Sequence, residues 1–375
     1  MARKLLLMIN SLEGGGAEKI FVSLAAHLAG TGDWELCIAT LDDVPDAHPA
    51  PPGVDRIRLD CRGGFLRSAL RAGRLISRWR PDVVLSFLTR ANCAALLARR
   101  RCDFHCVISE RVHTTSHLGH GARSRLLRVM VSWLYPSADA VIAVSDGVCE
   151  ELKRCYGVAA NRITAIPNPV FADALRIRGQ EEAAIELPED FFVAIGRLVP
   201  NKGCDVLLRA FAGHANTDRA LIILGEGPER TRLAALADTL GLGGRVHMPG
   251  YVDSPQAILA RATAYVSASR SEGFPNALVE AMSLGRAVIS TDCHSGPSEI
   301  LSDIPALRVT GTEQARWGVL VPVDDITALT AAMDLMDDAE LRARYGALSG
   351  QRIRSYDSAD IFRRYEAVLG TQRHL

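Results

Sequence analysis

"AYVSASRSEGFPNALVEAMSLGRAVI", residues 264–289, carries a strand, a loop, a helix and the start of a second strand in one short run. The opening apolar stretch is too short for a helix and is bounded by Ser and Gly, which is a strand pattern. Leu278, Val279, Ala281 and Met282 then follow at helical spacing as far as Gly285. Pro275 stands near the helix start, where its missing N–H costs little. "AVI" opens the next strand. A strand, a helix and a strand in succession form the repeating unit of a parallel sheet.

The same alternation extends in both directions. Toward the N-terminus, strands are predicted at "KLLLMIN", "ELCIATL", "RIRLD", "DVVLSFL", "CVISE", "AVIAVS" and "ITAIPN". A second set comprises "FFVAIG", "ALIILGEG", "VHMPG", "AYVSAS", "AVIST" and "GVLVPV". Continuous apolar runs of this kind suit parallel strands buried on both faces. Helical segments such as "AEKIFVSLAAHLAG" and "GCDVLLRAFAGH" separate them. The fold class is therefore α/β, with two Rossmann-like, doubly wound domains. A chain of 375 residues also exceeds one ordinary core and suits two. Pro167 and Pro169 end one strand set, and an acidic polar stretch precedes the next. The predicted boundaries are 1–168 for the first domain, 169–190 for a linker, 191–355 for the second domain, and 356–375 for a C-terminal helix that could cross back to the first.

Composition narrows the function. Apolar residues make up 48% and charged residues 23%, as in an ordinary globular protein. The net charge is zero, but unevenly spread: Lys and Arg number 22 against 16 acids up to Asn168, and 21 against 27 after it. A basic first half (+6) followed by an acidic second half (−6) predicts one lobe that meets an anionic partner. Nine cysteines without a C-x-x-C pair argue against a zinc cluster or a disulfide framework and fit a reducing cytosol. The opening "MARKLLLMINSLEGGG" has an apolar run too short for a secretory leader and reads as a buried strand. No run is long enough to span a bilayer, so any membrane contact is expected to be peripheral.

Two loops allow close backbone approach to a phosphate. Gly14, Gly15 and Gly16 follow the first strand and precede a helix whose N-terminus offers free N–H groups. The spacing is neither G-x-G-x-x-G, because position 19 is Lys, nor a P-loop, and a plain tight turn fits equally well. In "AIGRLVPNKGCDVLLRA", Arg197 and Lys202 follow a strand end at Gly196, where open α/β sheets bind ligands. An Arg fork and a Lys point charge together can neutralise a diphosphate without metal. Glu272 lies just before the helix of the opening stretch, facing any bound substrate. Glu280, on the second helical turn, has apolar neighbours and needs hydrogen-bond donors, for which ribose hydroxyls are suited.

Taken together, "GGGAEK", "GRLVPNK", "GEGPER" and the E-x7-E of "EGFPNALVE" resemble the retaining glycosyltransferases of family 4, over nearly the whole chain. The resemblance implies the GT-B fold, two Rossmann-like domains facing a central cleft. It implies a nucleotide sugar as co-substrate, with UDP as the carrier, although the residues leave GDP and ADP open. Arg197 and Lys202 would hold the diphosphate and serve catalysis with Glu272, which lies near the donor sugar. Glu280 would bind the ribose, with Gly196, Phe274, Pro275, Asn276, Ala277 and Leu278 as further nucleotide contacts. No metal or other cofactor is expected, since fixed cations and helix dipoles can stabilise the leaving phosphate. Many relatives carry a His after the fourth or fifth strand; here "VISERVHTTSHLGH" puts Arg111 at that place. Glu110, Arg111 and His113 are accordingly expected to face the acceptor, together with Gly14, Gly15 and Gly16.

The acceptor is addressed by "CRGGFLRSALRAGRLISRWRPD", residues 61–82. Arg67, Arg71, Arg74 and Arg78 are spaced by four, three and four and share one helix face. No acid lies between Asp60 and Asp82, so the stripe predicts an anion: nucleic acid, an anionic membrane surface or a lipid diphosphate. No nucleic-acid fold signature is present. Relatives with openings like "INSLEGGGAEK" and "SFLTRAN" extend glycans on polyprenyl diphosphate. The resemblance thus implies transfer of a hexose or N-acetylhexosamine to a lipid-linked saccharide, in the cytoplasm at the inner membrane face. Two alternatives stay open: a nucleotide-sugar epimerase of the same architecture, and a non-catalytic nucleotide- or carbohydrate-binding protein.

Overall fold

The computed structural model describes residues 2–119, 121–305 and 307–371. Its contacts divide the chain into two compact units, Met1–Pro169 with Ala359–Leu375, and Val170–Ser358. The first unit contains strands β1 (Arg3–Ile9), β2 (Trp34–Thr40), β3 (Asp55–Arg58), β4 (Val83–Phe87), β5 (His105–Glu110), β6 (Ala140–Ala143) and β7 (Ile163–Ala165). Between them run helices α1 (Gly16–Thr31), α2 (Phe65–Trp79), α3 (Thr89–Arg99), α4 (Thr114–Leu118), α5 (Ala122–Leu134) and α6 (Asp146–Tyr156). The sheet order is β3-β2-β1-β4-β5-β6-β7, parallel throughout, with Leu7 of β1 opposite Ile38 of β2 and Leu85 of β4. Leu5 to Ile9 have no exposed surface, because helices cover both faces of the central strand.

The second unit repeats the scheme with β8 (Phe191–Ile195), β9 (Ala220–Leu224), β10 (Val246–Gly250), β11 (Ala264–Ser267), β12 (Ala287–Thr291), β13 (Glu313–Ala315) and β14 (Gly318–Val321). Its helices are α7 (Ala172–Gly179), α8 (Cys204–Ala212), α9 (Arg230–Thr239), α10 (Gln256–Leu259), α11 (Asn276–Ser283), α12 (Pro297–Ser302), α13 (Ile326–Leu335) and α14 (Ala339–Ile353). The order is β10-β9-β8-β11-β12-β14-β13, and only β13 runs antiparallel to its neighbour. The chain winds outward from β8 in one direction through β9 and β10, then returns to place β11 on the other side. That reversal opens a crevice at the carboxyl ends of β8 and β11. Phe192, Phe211, Leu221, Val266 and Ile289 fill the core beneath it.

All thirteen predicted strand segments are strands here. β13 was not foreseen: it is three residues long and mostly exposed, and only its antiparallel pairing with β14 defines it. The stretch expected to be a linker is also different. Residues Ala172–Gly179 form α7, which packs on α10 and α11 of the second unit. Leu175 is buried, and a Cβ on Gly179 would come within 2.9 Å of Leu284 Cδ2. The flanking prolines and acids mask this helix, whose apolar contacts come from residues far away in sequence.

The last helix, α15 (Ser358–Gly370), is part of the first unit. Tyr365 is fully buried, its ring stacks near Phe87, and its hydroxyl accepts from Arg111 Nη1 at 2.6 Å. Phe362 stacks on His27, whose Nε2 lies 2.8 Å from Glu366 Oε1. Tyr365→Ala opens a cavity and removes one of the buried Arg111 side chain's partners, so a loss of about 3–5 kcal/mol in the stability of the first unit is expected. Urea unfolding monitored over both transitions measures it; an unchanged midpoint for the first unit would show that α15 does not complete its core.

Candidate active site

In the second unit, the crevice at β8 and β11 is lined by two loops. The loop after β8 runs from Gly196 through a 3-10 turn at Pro200–Lys202 to Gly203, the N-cap of α8. Gly203 has φ 63°, and a Cβ there would lie 2.0 Å from the Ala268 carbonyl, so only glycine lets this loop settle onto the end of β11. The loop after β11, Ala268 to Pro275, leads into α11. The two meet in an ion pair: Lys202 Nζ is 2.6 Å from Glu272 Oε1, and Ser269 Oγ donates to the same oxygen at 2.6 Å. The Glu272 side chain is only 12% exposed, and no described residue bonds its Oε2. Arg197 is exposed beside them, with no side-chain partner among the described residues. One free guanidinium and one paired ammonium thus stand at the carboxyl edge of the sheet, where backbone dipoles favour anions.

Other predicted residues are placed differently. Asn276 and Ala277 open α11 and are partly exposed, and Glu280 is half-buried on its second turn rather than buried. Phe274 and Leu278 turn inward. Phe274 meets the Tyr356 ring edge-on at 5.4 Å, and Leu278 has no exposed surface, so any ligand contact by either is limited to backbone. Pro275 is buried against Gly296, where a Cβ would lie 2.7 Å from Pro275 Cδ. The Gly196 amide donates to the Leu224 carbonyl at 3.0 Å, which fixes the strand end.

In the first unit, Gly14, Gly15 and Gly16 are exposed at the start of α1, and Gly15 is an N-cap without a side-chain bond. Three neighbours expected to face an acceptor are instead engaged by protein partners. Glu110 is fully buried; its carboxylate accepts from the Tyr135 hydroxyl, from Thr89 Oγ1 and from the Arg111 amide. Arg111 is 5% exposed and ties β5 to Tyr365 and to Asn168 Oδ1, over the Phe87 ring. His113 caps α4: Ser116 Oγ lies 2.9 Å from its Nδ1, and Glu151 Oε1 lies 3.4 Å from it. Glu151 in turn accepts the Thr114 and Thr115 amides at 2.8 and 2.7 Å. Polar side chains after a strand suggest ligand contacts, but here tertiary partners engage them. Along α2, Arg67, Arg71, Arg74 and Arg78 are all exposed, but Arg71 is committed to the Leu59 and Asp60 carbonyls.

Comparison with known proteins fits both units. Residues 178–349 match the family described as Glycosyl transferases group 1, and residues 15–169 match the Glycosyl transferase 4-like domain. The chain is a glycosyltransferase of the GT-B fold. It is 27% identical to the N-acetylgalactosamine-N,N'-diacetylbacillosaminyl-diphospho-undecaprenol 4-alpha-N-acetylgalactosaminyltransferase of Campylobacter jejuni, across 96% of this chain and 98% of that one. Sucrose-phosphate synthase of Thermosynechococcus elongatus superposes with a TM-score of 0.80 at 19% identity, covering 98% of both chains. HepE of Anabaena, solved with UDP and glucose, gives 0.78 at 18% identity, covering 99% of this chain and 100% of that one.

The residues that fasten these two loops are not announced by the sequence. Arg270 bonds Asp205 through both oxygens (3.0 and 3.1 Å), Asp324 at 2.7 Å and the Pro200 carbonyl at 2.5 Å. It thereby locks the Glu272 loop to the Lys202 loop. Burial raises the Asp205 carboxyl, but the Arg270 hydrogen bond and charge outweigh it and hold the group below its usual range. Ser295 Oγ, in the segment after β12, donates to the Glu272 carbonyl, and Thr291 Oγ1, at the end of β12, donates to the Ser269 carbonyl. Arg270 stood inside the opening stretch, but nothing local tells a stapling arginine from a solvated one.

Two outcomes follow. Arg270→Ala loosens both loops, and glycosyl transfer is expected to fall about 10²-fold, since ångström-scale misplacement costs that much. Arg270→Lys restores little, because an ammonium has three donors and no planar fork to reach both Asp205 oxygens, Asp324 and the Pro200 carbonyl together; full activity in either variant would remove the staple from catalysis. Burial pushes the Glu110 carboxyl up to about 7, against a weaker lowering by the Tyr135 hydrogen bond. A raised acid pKa stabilises the fold fully below its unfolded value. That contribution is lost as pH rises from about 4.5 through 7, on the order of 3 kcal/mol. Melting curves of wild type and Glu110→Gln between pH 5 and 8 test this: the variant should lose that part of the slope, and parallel slopes would contradict it.

Proposed function

We propose that this transferase moves a hexose or N-acetylhexosamine from a nucleotide sugar, with UDP as carrier, to a saccharide on polyprenyl diphosphate, with retained configuration. The observation that carries the reading is the Lys202–Glu272 pair beside the free Arg197. Breaking the sugar–phosphate bond leaves charge on the diphosphate, and fixed cations at that point lower the barrier. Arg197 supplies a bidentate fork. Lys202 exchanges part of its contact with Glu272 for a phosphate oxygen, and Glu272, with Oε2 open, accepts a sugar hydroxyl. Glu280 takes the ribose hydroxyls one turn into α11. The leaving phosphate accepts the acceptor's proton on the face from which it departs, so neither a nucleophilic side chain nor a metal is invoked.

Support for UDP comes from the HepE structure, and for a lipid-linked acceptor from the Campylobacter enzyme, whose name specifies a diphospho-undecaprenol substrate. The α2 arginines suit an anionic acceptor or headgroup, and favour an acceptor-using enzyme over an epimerase. The proposed site of action is the cytoplasmic membrane face, reached peripherally; no helix among the described residues is long and apolar enough to cross a membrane.

The test is calorimetric titration with UDP, followed by assay of nucleotide sugars with a lipid-linked saccharide. Glu280→Ala is expected to weaken UDP binding about 10- to 100-fold in a folded protein. Arg197→Ala and Lys202→Ala should depress turnover more than affinity, and the product anomer should match the donor. Unchanged UDP affinity in Glu280→Ala, or an inverted product, would refute the assignment. Sugar rearrangement without an acceptor would move the protein to the epimerases.

A further inference from the structure

Residues 61–138 contain fourteen arginines, no lysine and three acids, Asp82, Asp103 and Glu110. None of those acids lies on α2, α3 or α5. The three helices form one layer: α3 packs against both others, and successive right-handed crossovers from β3 to β6 place them on the same side of the sheet. α3 is almost entirely buried, whereas its two flanking helices are not.

Every large exposed hydrophobic side chain of the first unit, among the described residues, lies on those two helices. Leu66 and Leu70 on α2 are 73% and 52% exposed; Leu126, Val129 and Trp133 on α5 are 70%, 66% and 57% exposed. Spacings of three and four put the α5 trio in a single stripe. Arg100, at the end of α3, lies 3.7 Å over the Trp133 ring. Arg67, Arg74 and Arg78 on α2 and Arg125 on α5 are exposed, with no side-chain partner among the described residues.

We propose that this layer docks on an anionic lipid bilayer, with α5 as the penetrating element: Leu126, Val129 and Trp133 enter the acyl boundary while the arginines stay among the headgroups. The charge selects the occupant. A second copy seated on these three helices would bring arginine against arginine with no acid on them to answer it, whereas anionic headgroups complement every free guanidinium. An indole stacked under a guanidinium suits the boundary between headgroups and acyl chains. At thirteen residues, α5 is too short to span and would lie in the interface plane. The inference rests on the membrane reading above, and goes beyond it by assigning penetration to α5, not to the α2 stripe.

The experiment uses the full chain with vesicles free of any acceptor lipid. Phosphatidylglycerol-containing vesicles should blue-shift tryptophan emission, and lipids brominated near the headgroup should quench it. Trp133→Phe should abolish both effects and so assign them among the four tryptophans. Leu126→Ser with Val129→Ser should cut vesicle partitioning at least about tenfold. Arg74→Gln with Arg78→Gln should cut it about fivefold per charge, and only on anionic vesicles. Ile177→Ser, at an exposed apolar position of the second unit, should change nothing. All these positions are exposed, and unchanged melting confirms that the variants fold. Quenching that survives Trp133→Phe, partitioning indifferent to the Leu126 and Val129 changes, or a sedimenting dimer that those changes dissociate would each overturn the proposal. Vesicle binding without transfer to a lipid-linked acceptor sinks the acceptor reading alone; such transfer without vesicle binding sinks the docking alone.

Discussion

Arg270, held between Asp205, Asp324 and the Pro200 carbonyl, closes two loops into one site. Lys202 and Glu272 are 70 residues apart in the chain, and they meet because β11 is inserted beside β8. A parallel sheet fully buried by helices can vary only in the loops at its strand ends. The chemistry of the second unit is therefore concentrated at one edge, and its precision depends on what fastens those loops. Arginine is the residue able to do so, since its planar fork satisfies two carboxylates and a carbonyl at once. Buried hydroxyls of Ser269, Thr291 and Ser295 complete the fastening from behind.

At the equivalent edge of the first unit the polar residues serve a different purpose. Glu110, Tyr135 and Asn92 form a buried network, and Arg111 joins β5, Asn168 and the C-terminal helix. A carboxyl with no exposed surface is costly unless donors surround it, and here three donors do. Arg111, at the place after β5 where the family resemblance implies a histidine, instead binds structure together. What remains open at this edge is the glycine-lined start of α1, with backbone N–H groups and no bulky side chain.

The charge asymmetry between the halves has a local origin. The arginines concentrate on three neighbouring helices of the first unit, α2, α3 and α5, which carry no acid and leave apolar side chains outside. Self-repulsion within such a layer is tolerable because the helices expose their guanidinium groups to solvent, and Arg71 spends its charge on two carbonyls. The acids of the second unit follow a different logic: Asp205 and Asp324 answer Arg270, and Asp190 and Asp337 answer Arg219.

Sequence alone determined every strand but β13, the two-unit organisation and the glutamate pair. Continuous apolar runs specify buried parallel strands whatever lies beside them, and E-x7-E spans one loop and two helical turns, all local. Tertiary structure decided which polar groups were left for chemistry. Nothing near Glu110 in sequence announces Tyr135, and nothing near Lys202 announces Glu272 or Arg270. The same holds for the inward turn of Phe274 and Leu278, for α7 and for β13: each depends on a surface built by residues distant in the chain. Periodicity is a property of neighbours along the backbone, whereas burial and hydrogen-bond partnership are properties of neighbours in space.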